Sequence, residues 1–507
     1  MSSIKIPYQK IKYLSPLVQD YLSESTKLSS FYGRYNTIDS YYNQMEEKSQ
    51  FPIDRMTLVD VLKKQNHAID LSDLTKSNIE LLKSKDTFTI TTGHQLCIFT
   101  GPLYFIYKIV STINLSLALK KKYSSKHFVP VFWLASEDHD FDEINHINLF
   151  GKTIQWDDNQ GGAVGRMNLS NFSNVQEDLN LLMGKSENAK RLKAIFHKAY
   201  SSANLTQATR VLINELFKDD GLVIIDGDDV HLKKSFLDIM KKDIQDNSFY
   251  PFIASQSKKL SKNYKKQAYI RNCNFFKLER CSRKRVLDKL DAKEIDLNPE
   301  KFSPNVLLRP LYQEMILPNL AYIGGGAELS YWMQLKTAFE SEYIPFPILV
   351  LRNSVMLTAQ SQIDKINRLG FLFEDFFISE LDLHKKYVKN QTSISLESQV
   401  DSLREMFHSI KNKFKDKEFD PIIDAEHQRQ KKSLENLIKK LFRVEKQKHE
   451  VALSQISRIK TNFFPNNILQ ERYNNFIPYY LKYGDNFIKK LKEELDPLDT
   501  NFVVLPL

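Results

Sequence analysis

Residues 87–146 read TFTITTGHQLCIFTGPLYFIYKIVSTINLSLALKKKYSSKHFVPVFWLASEDHDFDEINH. A short β-branched run, Phe88 to Thr92, ends at Gly93. A turn-rich passage with a second glycine, Gly101, leads into an amphipathic stretch from about Pro102 to Lys122. A second apolar run, Val129 to Ala135, stops abruptly at Ser136-Glu137-Asp138-His139-Asp140. Strand, loop, helix and strand in that order make a βαβ unit, and its polar residues collect where both strands end. In open parallel sheets that edge is where ligands bind. The pattern predicts an α/β fold built on a parallel sheet.

Helical spacing puts Tyr104, Lys108 and Ser111 or Thr112 on one stripe, with Ile109, Ile113, Leu117 and Leu119 supplying the apolar side. Gly101-Pro102 suits a helix start, and the free N–H groups of such a start form a natural anion site. The interval from Gly93 to Gly101 is not GxGxxG, and no GxxxxGK[ST] occurs, so neither common nucleotide fingerprint is met. A strand–turn–helix with no ligand fits this stretch equally well.

The acids after the second strand are harder to dismiss. Glu137, Asp138, Asp140, Asp142 and Glu143 fall within seven positions, with His139 and His146 among them. A helix N-terminus capped by Ser136 would account for two or three acids, but not for the imidazoles. Paired acids beside a histidine can bind an amine, orient a water or shuttle a proton. The spacing carries no specific metal-ligand signature, and no metal is predicted.

A chain of 507 residues suggests two or three domains, and 42% hydrophobic with 12% aromatic residues is enough for a real core. The formal charge of +10 favours acidic partners, but the excess is dispersed over KKKYSSK, SKKLSKNYKKQ and RQKKSLENLIKK. Dispersed lysines read as a solvated surface, so nucleic acid is not expected. Cys97, Cys273 and Cys281 are odd in number and lack CxxC spacing, which points to a reducing compartment without structural zinc. No segment resembles a signal peptide or approaches the roughly 20 apolar residues of a membrane span. A cytoplasmic protein with no membrane contact is expected.

Residues 1–80 read as amphipathic helices covering one face of the sheet. Residues 151–220 read as an inserted subdomain. GLVIIDGDD at 221–229 is a further buried strand ending in Asp226, Asp228 and Asp229, which suggests one shared crevice with the first acid cluster. Residues 230–302 read as a second insertion of basic helices and a strand around NFFKL, with CSRKRVLDK as a solvated turn or helix. In 303–354, Gly324 to Gly326 follow the β-type run AYI and precede a helix carrying Glu328, Tyr331 and Trp332. Such a turn lets backbone approach a ligand, although a tight turn alone would need the same glycines. PFPILVLRNS reads as a last strand ending near Arg352. The core is thus expected over 1–370. A helical hairpin or coiled coil is expected over 371–460, from the 3–4 spacing of Leu434, Leu437, Leu441, Val444 and Val451. The tail, 461–507, is expected to pack back on the core, because FVVLPL is too apolar to be left free.

With these stretches in hand, the chain resembles the bacillithiol-biosynthesis cysteine-adding enzyme family, BshC. The resemblance rests on TTGHQLCIFTGPLYFIYKIVSTI, PVFWLASEDHDFDEINHI, SPNVLLRPLYQEMILPNLAYIGGGAELSYWMQLK and FPNNILQERYNNFIPYYLKYGDNFI. These blocks run from about residue 90 to the C-terminus. His94 stands where the family often has glutamine, and Gly326 replaces the proline of a GGP turn.

The resemblance implies a Rossmann-like core similar to class I aminoacyl-tRNA synthetases, with connecting insertions and a C-terminal coiled coil that pairs two subunits. It implies a ligase joining L-cysteine to glucosaminyl-malate to give the thiol bacillithiol. Forming an amide from a free carboxylate needs activation, so ATP is the expected cosubstrate. On that reading Gly93, His94 and Gly101 lie near the nucleotide, with Lys108 as a charge partner. Glu137, Asp138, His139 and Asp140 would hold cysteine's ammonium or take a proton from the attacking amine. Arg309 and Arg352 would grip malate's carboxylates. Gly324, Gly325, Glu328 and Tyr331 would complete the pocket, with Gln95, Tyr104, Asn145 and His146 as further substrate contacts. Two rivals remain: a nucleotidyl-transfer or tRNA-linked enzyme on the same core, and a non-catalytic coiled-coil adaptor. An intact acid–histidine cluster argues against the adaptor, since a dead core gains nothing by burying charge.

Overall fold

A computed structural model of the chain describes residues 3–11, 13–391, 397–414 and 416–507. They form two compact units, one of 1–356 with 471–505 and the other of 357–470 with 506–507.

The first unit is organised by a five-stranded parallel sheet. Its elements are β1 (Thr87–His94), α1 (Tyr104–Lys122), β2 (His127–Leu134), β3 (Val223–Asp226), β4 (Asn319–Gly324), α2 (Gly326–Trp332) and β5 (Ile348–Leu351). The order across the sheet is β5-β4-β1-β2-β3, with every neighbouring pair parallel. The chain first builds outward from β1 through β2 to β3, then crosses back and builds β4 and β5 on the other side. The direction of winding therefore reverses between β1 and β4, which opens a crevice beyond their carboxyl ends.

Both faces of the sheet are covered, which is why these strands read as nearly continuous apolar runs. Val129, Val131, Trp133, Val223 and Ile225 pack on one face, while Phe88, Ile90, Ile323, Ile348 and Val350 pack on the other with Leu115 and Leu119 of α1. The threonines of β1 are buried but satisfied. Thr91 Oγ1 donates to Asn319 Oδ1 at 2.8 Å, and Thr92 Oγ1 to the Ile323 carbonyl at 2.8 Å. Asn319 in turn donates to Glu314, whose carboxylate pairs with Lys48 at 3.2 Å with both side chains fully buried. An unpaired charge at that depth would be prohibitive, so the pair fixes how the N-terminal helices meet the sheet.

Some segments differ from their local sequence pattern. The N-terminal region supplies helices over Pro16–Leu22, Ser40–Gln50, Arg55–Asn66 and Asp73–Leu81, but also a strand, Ile4–Pro7. That strand pairs antiparallel with Asn501–Pro506, Ile6 opposite Phe502. Four residues have too short a period to reveal a strand whose partner lies at the other end of the chain. CSRKRVLDK is not a solvated turn or helix. Ser282–Arg285 is a strand, paired with Phe275–Glu279, which also pairs with Phe302–Pro304.

The second unit is helical. Glu397–Lys413 and Asp420–Lys448 run antiparallel, with Phe407 stacked on His427 at 5.0 Å and Lys411 paired with Asp424 at 2.7 Å. Glu380–Gln391 and Glu450–Phe463 complete its main helices. No described helix is long and apolar enough to cross a membrane.

Candidate active site

A cleft of about 710 Å³ lies at the carboxyl edge of the parallel sheet. Four of the five strands contribute, each through residues at or just beyond its carboxyl end. β1 brings Gly93, His94 and Gln95, β2 brings Ser136, Glu137 and Asp138, and β4 brings Gly325 and, through α2, Glu328 and Tyr331. Arg352 follows β5, Tyr104 and Lys108 project from α1, and Arg309 arrives from the segment before β4. The acids after β2 and the glycine turn after β4, nearly 190 residues apart, therefore face one space.

The winding reversal is clasped by one ion pair. Lys108 Nζ lies 2.7 Å from Glu328 Oε2 and donates to the Gly93 carbonyl at 2.6 Å. Glu328 also accepts from Tyr322 OH at 2.6 Å and from the Gly325 N–H at 2.8 Å. Burial would raise this carboxyl, but Lys108 and these donors outweigh it and hold it below the usual carboxylate range. Gly324 permits the approach of α2, because a Cβ there would come within 2.9 Å of Glu328 Cβ.

The second group of charges lies on the β2 side. Gln95 Nε2 donates to Asp138 Oδ2 at 2.8 Å and to Glu143 Oε2 at 2.7 Å, bridging the two carboxylates. Burial raises Asp138, but Gln95, the His139 N–H and the Arg283 guanidinium prevail, so it stays below its ordinary value. Glu137 pairs with the fully buried Lys233 at 2.6 Å, Lys233 with Asp228 at 2.9 Å, and Asp228 with Arg166 at 2.7 Å. Asp226 and Asp228 thus form a layer behind Glu137 and do not line the crevice. Asp226, hydrogen-bonded by Ser136, is pushed up to about 6 by burial and by the neighbouring Asp228 carboxylate. Asp229 caps the helix Val230–Lys234.

The third group is cationic. The Arg309 guanidinium lies over Trp133 and Tyr322, 5.7 and 5.5 Å from the ring centroids, and donates to Gln313 at 2.9 Å. Arg283 and Arg285 flank Phe276 at 4.1 and 4.9 Å. Arg283 is anchored to Ser303 Oγ and the Pro304 carbonyl, both at 3.1 Å, and reaches His139 Nδ1 at 3.2 Å.

Several expected site residues stand elsewhere or are already committed. Arg352 lines the cleft, yet its fork is bidentate to Glu471, at 2.7 and 3.1 Å with both side chains buried, so it is not free to grip a substrate carboxylate. His139 and Asp140 are exposed and do not line the cleft. Asn145 is buried against His146, and His146 opens the strand His146–Leu149, so both leave the site. Gly324 ends β4 and supports the wall without forming it. Gly101 lies beneath the site, with φ +62° and a carbonyl that accepts from Asn475 at 2.6 Å. A Cβ there would meet Cys97 at 2.7 Å, so glycine is required by shape. Burial pushes the Cys97 thiol up to about 12, which removes it as a nucleophile.

Trp133, Ser136, Phe276, Arg283 and Arg285 line the cleft and were not among the expected site residues. Arg283 and Arg285 stand two apart on the strand Ser282–Arg285 and so share a face, but SRKR by itself carries no strand pattern that would have announced it.

The fold and cleft define a Rossmann-like α/β protein with a mixed-charge, small-molecule-sized crevice at its winding reversal. Residues 1–353 match the family described as bacillithiol biosynthesis BshC, N-terminal Rossmann-like domain, and residues 355–507 match its C-terminal coiled-coil domain. A protein of Flavobacterium johnsoniae is 40% identical over 99% of both chains. One of Flavobacterium psychrophilum is 41% identical, and one of Christiangramia forsetii 40%, each over 99% of this chain and 98% of the relative. All three carry the name "Putative cysteine ligase BshC". The chain belongs to the bacillithiol-biosynthesis BshC family.

Proposed function

We propose that this protein is a cysteine ligase of bacillithiol biosynthesis, joining the carboxyl of L-cysteine to the amine of glucosaminyl-malate. Family membership supports the ligase class, and the cleft supports the substrates. The carrying observation is the separation of charge within one crevice. Glu137, Asp138 and Glu143 gather on the β2 side, while Arg309 and Arg285 offer positive charge from other walls. Carboxylates suit the ammonium of cysteine and the amine of the acceptor. The planar Arg309 fork, not tied to any carboxylate in the described contacts, suits a malate carboxylate.

Amide formation from a carboxylate also needs an activated acyl group, so ATP is proposed as cosubstrate. Gly93, His94 and Lys108 are the proposed neighbours of its phosphates, where backbone and ammonium donors can stabilise developing negative charge. A homodimer through the helical unit is proposed as well. The helix Asp420–Lys448 buries none of its residues in a single chain, and Ile422, Leu437 and Val444 are exposed on it.

The test is to incubate the pure chain with cysteine and glucosaminyl-malate, with and without ATP and magnesium, and to follow the coupled thiol by mass spectrometry. Product formed only with ATP is the expected result. Product without ATP removes the cosubstrate, and no product under either condition removes the ligase reading.

A further inference from the structure

Most of the positive charge at the winding reversal is spent within the protein. Lys108 lies against Glu328, and Arg352 is bidentate to Glu471, so each pair is neutral as a whole. Arg472 differs. It follows Glu471 directly, it is exposed, and it lines the same cleft. Its guanidinium lies 5.8 Å from the ring centroid of Tyr104, the residue that opens α1, and Arg352 lies 5.0 Å from the same ring. Nε donates to Tyr13 OH at 2.8 Å, so the ring and the phenol hold the base of the fork. In the described contacts the terminal nitrogens of that fork meet no carboxylate and no other acceptor.

We infer that Arg472 holds phosphate oxygens of the nucleoside triphosphate that activates cysteine, which makes it a phosphate-binding residue of the ligase. The assignment rests on the ligase reading above, with ATP as its cosubstrate. In activation a carboxylate oxygen of cysteine attacks phosphorus. The new O–P bond forms as the P–O bond to the leaving phosphate chain breaks with its electron pair, and negative charge builds on the departing oxygen. A neutral ion pair such as Lys108–Glu328 brings no net charge to oppose it, whereas Arg472 does. A guanidinium also offers parallel donors at a fixed spacing that matches phosphate oxygens.

The order of the strands keeps this charge apart from the acids. Glu137 and Asp138 follow β2, while Arg352, which shares the Tyr104 ring with Arg472, follows β5. β4 and β1 stand between them in the sheet. A phosphate beside Arg472 is therefore not repelled by those carboxylates at close range. With the amine beside the acids, the acyl carbon of cysteine lies between the two, where attack and departure can take place on opposite sides of it. The malate carboxylates remain with Arg309, which lies over Trp133 and Tyr322.

The experiment titrates the full chain with ATP and magnesium by isothermal calorimetry, wild type against Arg472→Gln and Arg472→Lys, and repeats the titration with glucosaminyl-malate. Arg472→Gln is expected to weaken ATP binding about 10- to 100-fold, the range for a lost charge-assisted contact, and to leave glucosaminyl-malate binding unchanged. Arg472→Lys keeps the charge without the fork and is expected to fall between. In the coupled-thiol assay the KM for ATP rises in the same order, with the KM for cysteine little changed. Wild-type ATP binding in Arg472→Gln, or a weakening of glucosaminyl-malate in its place, overturns the assignment, as does a wild type that binds no ATP. Should Arg472→Gln bind neither ligand, Arg472→Lys decides: selective weakening of ATP supports the assignment, and its absence overturns it. No coupled thiol from a wild type that binds ATP removes the ligase step and the role in activation, while the phosphate contact stands on the calorimetry.

Discussion

Lys108 is only 2% exposed, and its ammonium is held by the Glu328 carboxylate and the Gly93 carbonyl. Such a pair contributes little over a well-packed apolar substitute, but removing one partner strands the other charge. Lys108→Met is therefore expected to lower stability at neutral pH by about 2–4 kcal/mol, the lower part of that range reflecting the hydrogen bonds Glu328 keeps. Adding Glu328→Gln should recover part of the loss, and guanidinium titrations of the four-member cycle measure it. Additive effects would show that the two side chains are not coupled. Lys108, Tyr104 and Glu328 were legible because helical spacing and a glycine turn point to the strand ends. Arg352 was misread for a concrete reason. Its partner Glu471 is 119 residues away, and no local pattern announces that a guanidinium fork is already occupied.

The small antiparallel sheet that carries Arg283 and Arg285 hangs on one buried carboxylate. Asp243 of the helix Leu237–Asp246 is wholly buried and accepts from the Asn274 N–H at 2.6 Å and from its amide at 3.2 Å, just before the strand Phe275–Glu279 begins. Burial pushes this carboxyl up to about 6, against the lowering effect of Asn274. A raised carboxyl stabilises the fold fully below its unfolded value, and that contribution is lost as pH rises through about 6. From 3.8 to about 6 the shift amounts to roughly 3 kcal/mol. The stability of the wild type relative to Asp243→Asn is expected to fall by up to that amount between pH 4 and 7, read from denaturant midpoints at each pH. A difference that stays flat across the interval would mean the carboxyl does not titrate there. This element also marks where the sequence is least legible. The βαβ unit could be read because its periods are long and its apolar runs uninterrupted. SRKR has no apolar residue at all and becomes a strand only because FFKLE lies beside it.

At the scale of the chain, the first unit is closed by its two ends, since Ile4–Pro7 pairs with Asn501–Pro506 and Phe502, Val503, Val504 and Leu505 are buried. The apolar tail was readable as a segment that must pack, whereas its partner strand was not. The helical unit is thus inserted into a continuous fold, and it has the opposite character. Asp420–Lys448 spans 29 residues without burying one, and Ile422, Leu437 and Val444 are 69%, 47% and 58% exposed. An isolated helix draws little stability from propensity alone, so its apolar positions need a facing surface. In the proposed homodimer a second copy supplies it. Wild-type protein is accordingly expected to show the mass of two chains by light scattering at micromolar concentration. Ile422→Glu with Val444→Glu is expected to give the mass of one, because a buried unpaired carboxylate opposes association far more than it perturbs an exposed helix face. The melting of the first unit should be unchanged in that variant, since neither position belongs to it. A wild-type chain that is monomeric would remove the proposed homodimer, and a double variant that still pairs would place the subunit contact on another surface.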